Sequence, residues 1–593
     1  MFDVAKRQNN LNKILSLLSK KNYIKAKSIA EKQLKNSPND VDLLHTLGVS
    51  LFHLNRNDEA VLNLTKAIGI NDGRSDILNS LAQVYRKTDI VKANKCLEKV
   101  VELNPSPVYL SDLATVQSQL GFLDKAILTV KHSLMIDSSY LAGLKLLCHL
   151  LVNDNRFLEC LEFVDKIPKS DADYYKLSID SYIELNNYSQ ALALLNTLLL
   201  IPNLSDQYLF FAIETLITLG EFKRAKKLFV TSTSSKLKKN LHLRLKLEEL
   251  SAAEQRQIEK RVLATMNTDK VDSNLVFNLA NLYKQKDRAK WIYLLELANK
   301  KNNFPYNEKE TLFLFDRATN ALQKRIIPVT KIKSSLPIFI IGMPRSGTTL
   351  TESIIGAHSS CFACGESNTL QMAFNKNYTN EDLSNKNRTF RPWTFIDLLE
   401  KSEELDLTPI AMHYLKLIRK HDSEAKHLVD KMPHNFIYTA LLPRLFPQAK
   451  FIHITRNPIA NILSIFEQNF SEFHSYGSDL STLIKYYKKY QQYMETSLKL
   501  VPKGSVYSLQ YENLVENTED EVRKLLDYCN LPFQQSCLEF NKQKRVVKTA
   551  SVKQVRQAIY KTSLKPWQGL EEELTDVLNA FPEYNKSHYD LAK

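Results

Sequence analysis

A repeat of about 34 residues fills much of the N-terminal half of the chain and restricts it to one kind of architecture. The clearest copy begins near Val41 and has apolar or small side chains at Leu44, Leu47, Gly48, Leu51, Ala60, Leu64 and Ala67. The small side chains allow two antiparallel helices to pack closely, but one such pair cannot bury its apolar face alone. Successive copies must therefore stack, which predicts an all-helical superhelix with a concave face.

The same pattern recurs on both sides of this copy, from Ile14 and Ala26 ahead of it to Ala225 and Phe229 far beyond it. Its large and small positions resemble the tetratricopeptide repeat (TPR). A TPR superhelix is predicted over residues 7–232, and residues 233–335 are predicted to be degenerate helical repeats that form a cap and linker. The resemblance implies that a peptide or protein binds the concave face. A solenoid that only scaffolds or dimerises the other half stays open as an alternative.

The C-terminal half begins with the sequence LPIFIIGMPRSGTTL, in which an apolar strand runs into a glycine-containing turn. Gly342 and Gly347 occupy the glycine positions of the phosphate-binding pattern G-x-x-x-x-G-K-[ST], but Thr348 replaces the lysine. In nucleoside triphosphatases that lysine reaches the β- and γ-phosphates. A loop with Thr348 and Thr349 still offers backbone N–H groups and a helix N-terminus to an anion. It therefore suits a less charged donor, such as a 5′-phosphosulfate.

The segment PRSGTTL, followed by AHSSCFACGE, resembles motifs of sulfotransferases that use 3′-phosphoadenosine-5′-phosphosulfate (PAPS). Within that family it is most similar to protein-tyrosine sulfotransferases and to bacterial TPR sulfotransferases. The resemblance implies a three-layer α/β, P-loop-like sulfotransferase domain with a central parallel sheet over residues 336–593. The predicted fold class is therefore an N-terminal all-α TPR solenoid followed by this α/β domain.

The resemblance implies two groups of nucleotide-binding residues. The loop that binds the 5′-phosphosulfate would consist of Arg345, Ser346, Gly347, Thr348 and Thr349. Arg456 follows a second apolar strand, Lys450–Thr455, and Ser464 comes eight residues later, as in the 3′-phosphate motif of the family. Tyr511 and Lys565 match the family's remaining nucleotide contacts.

Two departures accompany these matches. Tyrosine sulfotransferases carry an arginine where this chain has Gln468, and Pro566 separates Lys565 from Trp567, which are adjacent in the family. Both departures bear on cofactor affinity.

The resemblance also implies catalytic roles. Glu366 would be the general base, Lys431 would stabilise the leaving phosphate, and Arg345 and Ser551 would lie near the transferring group. His434 is a rival base that ranks below Glu366. No metal is expected, because no paired carboxylates suited to magnesium follow the loop strand.

The acceptor is predicted to be a hydroxyl, with a peptide tyrosine favoured by the motif wording and a sugar or small molecule as the alternative. Two other classes stay open. A nucleotide kinase or phosphatase is opposed by Thr348 in place of the lysine. A TPR scaffold with an inactive nucleotide-binding domain is opposed by the joint presence of the candidate catalytic and binding residues.

Composition and localisation signals complete the prediction. The 80 Lys and Arg against 65 Asp and Glu give a net charge of +15, which suits an anionic cofactor or an acidic acceptor. Nucleic acid is not expected, because no nucleic-acid-binding motif occurs. The chain has no apolar core of signal-peptide length and no run of about 18 apolar residues, so a cytoplasmic protein without a transmembrane segment is expected. A homodimer stays open.

The spacing of Cys361 and Cys364 matches redox and zinc sites, but no second pair accompanies it. It is interpreted as chance spacing.

Overall fold

The computed structural model describes residues 2–154, 156–185, 187–248, 250–265, 272–301, 306–378, 393–401, 405–419, 421–422, 424–470, 472–542, 559 and 561–585. Its internal contacts divide the chain into two compact units, one over Met1–Ile201 and one that begins at Pro202. The predicted domain bounds, 7–232, 233–335 and 336–593, follow the repeat pattern and the motifs, and they stay a prediction.

The first unit is built of successive antiparallel helix pairs, as predicted for TPR repeats. Its helices are α1 Phe2–Ser19, α2 Tyr23–Leu34, α3 Val41–His53, α4 Asn57–Ile70, α5 Ser75–Thr88, α6 Ile90–Leu103, α7 Pro107–Gln119, α8 Leu123–Ile136, α9 Leu141–Asn153, α10 Phe157–Val164, α11 Ala172–Glu184 and α12 Tyr188–Leu198. The small residues lie where the two helices of a pair approach each other. A Cβ atom on Gly48 would lie 2.5 Å from Cγ of Leu64, so the α3–α4 pair requires glycine there.

The second unit starts with further helices. These are α13 Asp206–Thr218, α14 Phe222–Thr231, α15 Ser235–Lys238, α16 Leu241–Leu247, α17 Ala252–Thr265, α18 Ser273–Tyr283, α19 Arg288–Lys300 and α20 Glu308–Lys324. Within residues 233–335, which are predicted to be degenerate helical repeats, α18 and α19 pack as a pair. Trp291 on α19 and Phe315 on α20 belong to the same hydrophobic cluster as Phe339 in the sheet.

The rest of the second unit surrounds a five-stranded sheet. Its strands are β1 Pro337–Gly342, β2 Cys361–Gly365, β3 His427–Asp430, β4 Lys450–Thr455 and β5 Val506–Gln510. Their order is β2-β3-β1-β4-β5, and every pairing is parallel. Its helices are α21 Thr348–Gly356, α22 Thr369–Tyr378, α23 Thr394–Lys401, α24 Thr408–Ile418, α25 Leu442–Leu445, α26 Pro458–Phe466, α27 Leu480–Lys499, α28 Tyr511–Glu516, α29 Thr518–Tyr528, α30 Thr575–Ala580 and α31 Pro582–Asn585.

Strand β1 is buried along its whole length and divides two cores. Phe339 and Ile341 belong to one hydrophobic cluster, whereas Ile338 and Ile340 belong to another with Ile354 of α21. This alternation is expected because successive side chains of a strand point to opposite faces. Helices on both faces of a parallel sheet give the three-layer α/β architecture that the sequence predicted. Of the described helices, none is long and apolar enough to cross a membrane.

Candidate active site

The predicted site residues follow the carboxyl ends of the five strands. The loop of residues 343–347 follows β1, and Glu366, Lys431, Arg456 and Tyr511 come directly after β2, β3, β4 and β5 respectively. Because all five strands are parallel, these ends meet at one edge of the sheet. Ligands of open α/β sheets bind in the crevice at that edge.

The loop after β1 is shaped by its two glycines. A Cβ atom on Gly342 would lie 2.6 Å from the carbonyl oxygen of Ile454, and one on Gly347 would lie 2.5 Å from Cδ2 of Tyr511. Gly347 has φ +110°, a left-handed conformation that favours glycine, and it immediately precedes α21. The turn therefore brings the backbone close to β4 and to Tyr511, with the N–H groups at the start of α21 at its end.

The loop side chains are enclosed by the protein. Thr348 and Thr349 are buried, and so is Ser346, whose Oγ has no hydrogen-bond partner among the described atoms. A buried hydroxyl without a partner carries a cost that a bound anion would remove. Arg345, with φ +66°, donates from Nε to Oγ of Ser464 over 3.2 Å.

The guanidinium of Arg456 joins the loop to the C-terminal segment. Its Nη1 donates to the carbonyl oxygen of Arg345 at 2.7 Å and its Nη2 donates to that of Ser563 at 2.9 Å. The guanidinium also lies over the ring of Tyr511, 4.6 Å from the ring centre, and the Tyr511 hydroxyl is 2.9 Å from Oγ of Ser563. Its Nε is buried and has no partner among the described atoms. Thus Arg345, Arg456, Ser464 and Tyr511 form one connected group.

The candidate base and the candidate leaving-group lysine form an ion pair. Nζ of Lys431 donates to Oε1 of Glu366 at 2.6 Å, and the Lys431 side chain is fully buried whereas that of Glu366 is 40% exposed. Lys431 is also 4.0 Å from Oε2 of Glu352 on α21. A buried ammonium needs such partners, because its desolvation is costly.

Two neighbouring groups have shifted pKa values. Burial raises the pKa of Asp430 from its ordinary value of 3.8 to about 7, and its Oδ2 accepts a hydrogen bond from the Tyr414 hydroxyl at 3.0 Å. Burial lowers the pKa of His434 to about 3, and its ring stacks on His474 with 4.6 Å between ring centres. An imidazole with so low a pKa accepts protons weakly, which agrees with ranking His434 below Glu366.

Ser551 and Lys565 are the two predicted residues of the C-terminal segment. Ser551 lies outside the described residues. Lys565 is exposed, and the residue of its segment that contacts Arg456 and Tyr511 is Ser563. Pro566 interrupts the segment, and its carbonyl oxygen accepts a hydrogen bond from Arg288 of α19.

Several polar residues at the site were not singled out by the sequence reasoning. On α26, Nδ2 of Asn461 donates to the carbonyl oxygen of Pro344 at 2.9 Å, and Asn457 caps the helix while its N–H donates to Oε1 of Glu512. Glu352 accepts a hydrogen bond from the N–H of Gly365 at 2.8 Å. Each is a polar residue within an apolar helical run or beside a matched motif residue. A polar side chain in such a position could have indicated a role at the site.

Cys361 and Cys364 both lie on β2, and neither forms a disulfide within the described part of the chain. Among the described residues, no group of three or more His, Cys, Asp or Glu side chains could hold a metal ion.

Comparison with known proteins bears on the same region. Residues 337–535 match the model of the sulfotransferase family. This region is therefore similar to that family. It contains all five strands described above, together with Tyr511.

An uncharacterized protein of Aquifex aeolicus (strain VF5) is 37% identical over 313 residues, which are 51% of this chain and 40% of that protein. Protein-tyrosine sulfotransferase 1 of Danio rerio is 28% identical over 206 residues, which are 34% of this chain and 55% of that protein. The chain thus spans about half the length of these relatives. The sulfotransferase domain of the Synechococcus PCC 7002 olefin synthase is 20% identical and matches 44% of this chain and 99% of its own, with a TM-score of 0.31.

Proposed function

We propose that the protein is a PAPS-dependent sulfotransferase that transfers a sulfuryl group to an acceptor hydroxyl. One observation carries the proposal: the loop, Glu366, Lys431, Arg456 and Tyr511 all follow carboxyl ends of parallel strands and meet at one edge of the sheet. The match of residues 337–535 to the sulfotransferase family supports it.

The chain offers a fitting environment for a nucleotide that carries phosphates at both ends of its ribose. Oγ of Ser346 and Nε of Arg456 are buried donors without partners among the described residues, and both lie in the segments that match the family's phosphate motifs. Arg456 can hold a phosphate through more than one N–H group, which a lysine cannot do. When bound, PAPS supplies the sulfuryl group.

In the proposed reaction, the carboxylate of Glu366 takes the proton of the acceptor hydroxyl as the acceptor oxygen bonds to sulfur. The bond between sulfur and the bridging oxygen breaks, and its electron pair stays on the 5′-phosphate. The Lys431 ammonium stabilises the charge that develops there. Because Lys431 and Glu366 are paired at 2.6 Å without ligands, both have to exchange partners when the reactants bind.

We favour a peptide tyrosine as acceptor, since relatives such as the Danio rerio enzyme carry the name protein-tyrosine sulfotransferase. A sugar or small-molecule hydroxyl is the alternative. A labelled-PAPS transfer assay with matched tyrosine and phenylalanine peptides, run beside a panel of sugars, separates the two. Labelling of the tyrosine peptide alone supports the proposal, whereas labelling of sugars alone contradicts the peptide assignment.

The donor is tested by calorimetric titration with 3′,5′-bisphosphoadenosine in the absence of magnesium. We expect wild type to bind it, Arg456→Ala to bind at least about tenfold more weakly because the bidentate contact is lost, and Arg456→Lys to recover only part of the loss. Arg523→Ala is the control, because Arg523 is a half-exposed arginine on α29 that pairs with Glu519. Magnesium-dependent ATP binding without any bisphosphoadenosine binding would instead favour a kinase.

A further inference from the structure

The Lys431 ammonium lies between two carboxylates of different exposure. Glu366 is 2.6 Å away and its side chain is 40% exposed, whereas Glu352 is 4.0 Å away and its side chain is 4% exposed. Lys431 itself is fully buried. Since both carboxylates reach one buried cation, the loss of one need not leave that cation without a counter-charge.

Glu352 is held in place from two sides. It lies on α21, four residues after Thr348 of the phosphate loop, and its Oε1 accepts a hydrogen bond from the N–H of Gly365 at 2.8 Å. Gly365 is the residue before Glu366. The carboxylate therefore contacts the backbone that carries the candidate base, while its other oxygen faces the lysine.

The third nearby carboxyl, that of Asp430, forms hydrogen bonds with other residues. Oδ1 of Asp430 accepts hydrogen bonds from the N–H of Met432 at 3.3 Å and from Nδ2 of Asn435 at 3.2 Å, and its Oδ2 accepts one from Tyr414. Asp430 forms no ion pair with Lys431 within 4 Å, whereas Glu352 does, by the distances among the described residues.

We infer that Glu352 is a positioning residue that balances the charge of Lys431 while Glu366 acts as the base. The inference rests on the proposed function. Lys431 loses the nearer of its two negative partners when Glu366 turns to the acceptor, and Glu366 is neutral once it has taken the acceptor proton. Glu352 remains beside it, so the ammonium stays compensated and free to face the leaving phosphate. Without Glu352, Lys431 depends on Glu366 alone, and the pair separates less readily.

The first test asks whether both carboxylates compensate the Lys431 ammonium, and it needs no activity measurement. It compares the thermal unfolding of Glu352→Gln, Glu366→Gln and the double variant. Glutamine keeps an oxygen for the Gly365 N–H and removes only the charge. We expect Glu366→Gln alone to lower the midpoint by about 1 °C, and the double variant to lose at least about 2 °C more than the sum of the two single losses. In a Lys431→Met background this excess should vanish, because no buried cation remains. Additive losses in the wild-type background would overturn the inference.

The catalytic consequence is tested by steady-state kinetics and nucleotide binding. We expect Glu352→Gln to lower kcat at least about tenfold, with bisphosphoadenosine affinity within about twofold of wild type, since one negative charge fewer does not weaken anion binding. Glu352→Asp should recover part of kcat. An unchanged kcat, or a kcat loss matched by an equal loss of nucleotide affinity, would contradict a positioning role.

The two tests separate this inference from the proposed function. Excess destabilisation in the double variant, combined with a wild type that neither binds bisphosphoadenosine nor transfers sulfate, would overturn the sulfotransferase proposal and the catalytic role of Glu352 together. The shared compensation of Lys431 would still hold in that case.

Discussion

Asp430, directly before Lys431, is a single side chain that makes the free energy of unfolding depend on pH. Burial raises its pKa from 3.8 to about 7, so between these values the folded protein keeps a proton that the unfolded chain has lost. Stability from this group is therefore complete below about pH 4 and is lost as the pH rises to about 7. Asp430→Asn removes the dependence. Relative to wild type, the variant should gain stability over that range, by up to about 4 kcal/mol.

The measurement is urea unfolding of both proteins at pH 4.5, 6 and 8. Asparagine also alters the hydrogen bonds to Tyr414 and Asn435, which shifts the variant by a similar amount at each pH. The exposed Asp527→Asn serves as the matched control for the loss of a carboxylate. A stability difference between Asp430→Asn and wild type that does not change with pH would contradict the raised pKa.

At the residue scale, the matched motifs identified residues after strand ends and a few on helices, such as Ser464, but missed other helical residues. Arg456 stands directly after an apolar strand, and Lys431 was identified from its match to the family's lysine. Glu352 and Asn461 lie within helices, and only tertiary packing brings them to Lys431 and to the loop. Ser563 was missed for a related reason: its contact with Arg456 is made by its backbone carbonyl oxygen, which no side-chain motif indicates.

The phosphate loop depends on glycine at position 347 for conformation and for space. Gly347→Ala would place a methyl group 2.5 Å from the ring of Tyr511, in a backbone conformation that costs alanine on the order of 1 kcal/mol or more. Tyr511 would have to move away, and with it the stacking on Arg456 and the hydrogen bond to Ser563. We expect bisphosphoadenosine affinity to fall at least about tenfold, measured by calorimetry.

Gly504→Ala separates the two effects. Gly504 also has a left-handed φ, +83°, but nothing lies within 4 Å of the place where its Cβ would be. The control therefore carries backbone strain without a clash, and it should bind the nucleotide like wild type. Equal affinity of Gly347→Ala and Gly504→Ala would show that contact with Tyr511 does not matter for binding.

Some strands and helices could be predicted from the sequence, and others could not. The apolar runs of residues 338–341 and 450–455 became β1 and β4, with β1 one residue longer at each end. Strand β2 was not predicted, because Cys361–Gly365 combines small and half-buried residues at the sheet edge and attracted attention only for its cysteine spacing. The helical repeats could be predicted more easily, since each copy has the same local pattern of apolar and small residues.

At the scale of the whole molecule, the second compact unit begins at Pro202, whereas the predicted repeats continue to residue 232. Helices α13 and α14 continue the predicted repeats, yet their contacts assign them to the unit that begins at Pro202. The hydrophobic cluster of that unit extends from Leu245 through Trp291 to Phe581. Periodicity reports only local packing, whereas this cluster joins residues hundreds of positions apart, so no local pattern indicates it.

Helix α19 is also tied to elements of the candidate site. Nδ2 of Asn299 donates to the carbonyl oxygen of Phe466 at the end of α26, the helix that carries Ser464. Arg288 donates to the carbonyl oxygens of Pro566 and Gln568, next to Ser563. The helices of residues 233–335 thus hold two parts of the site as well as a share of the core.

These contacts predict where the chain can be cut. A fragment of residues 202–593 keeps the complete cluster and should fold and bind bisphosphoadenosine with an affinity within about threefold of the full chain. A fragment of residues 336–593 loses Trp291, Phe315 and the contacts of Arg288, which exposes the apolar surface they cover. Each large buried side chain that is removed costs about 3–5 kcal/mol, and a domain has only about 5–15 kcal/mol of stability, so this fragment should be unfolded or aggregated. Circular dichroism and calorimetry on both fragments measure this, and a folded, nucleotide-binding 336–593 would show that the helices before β1 are dispensable.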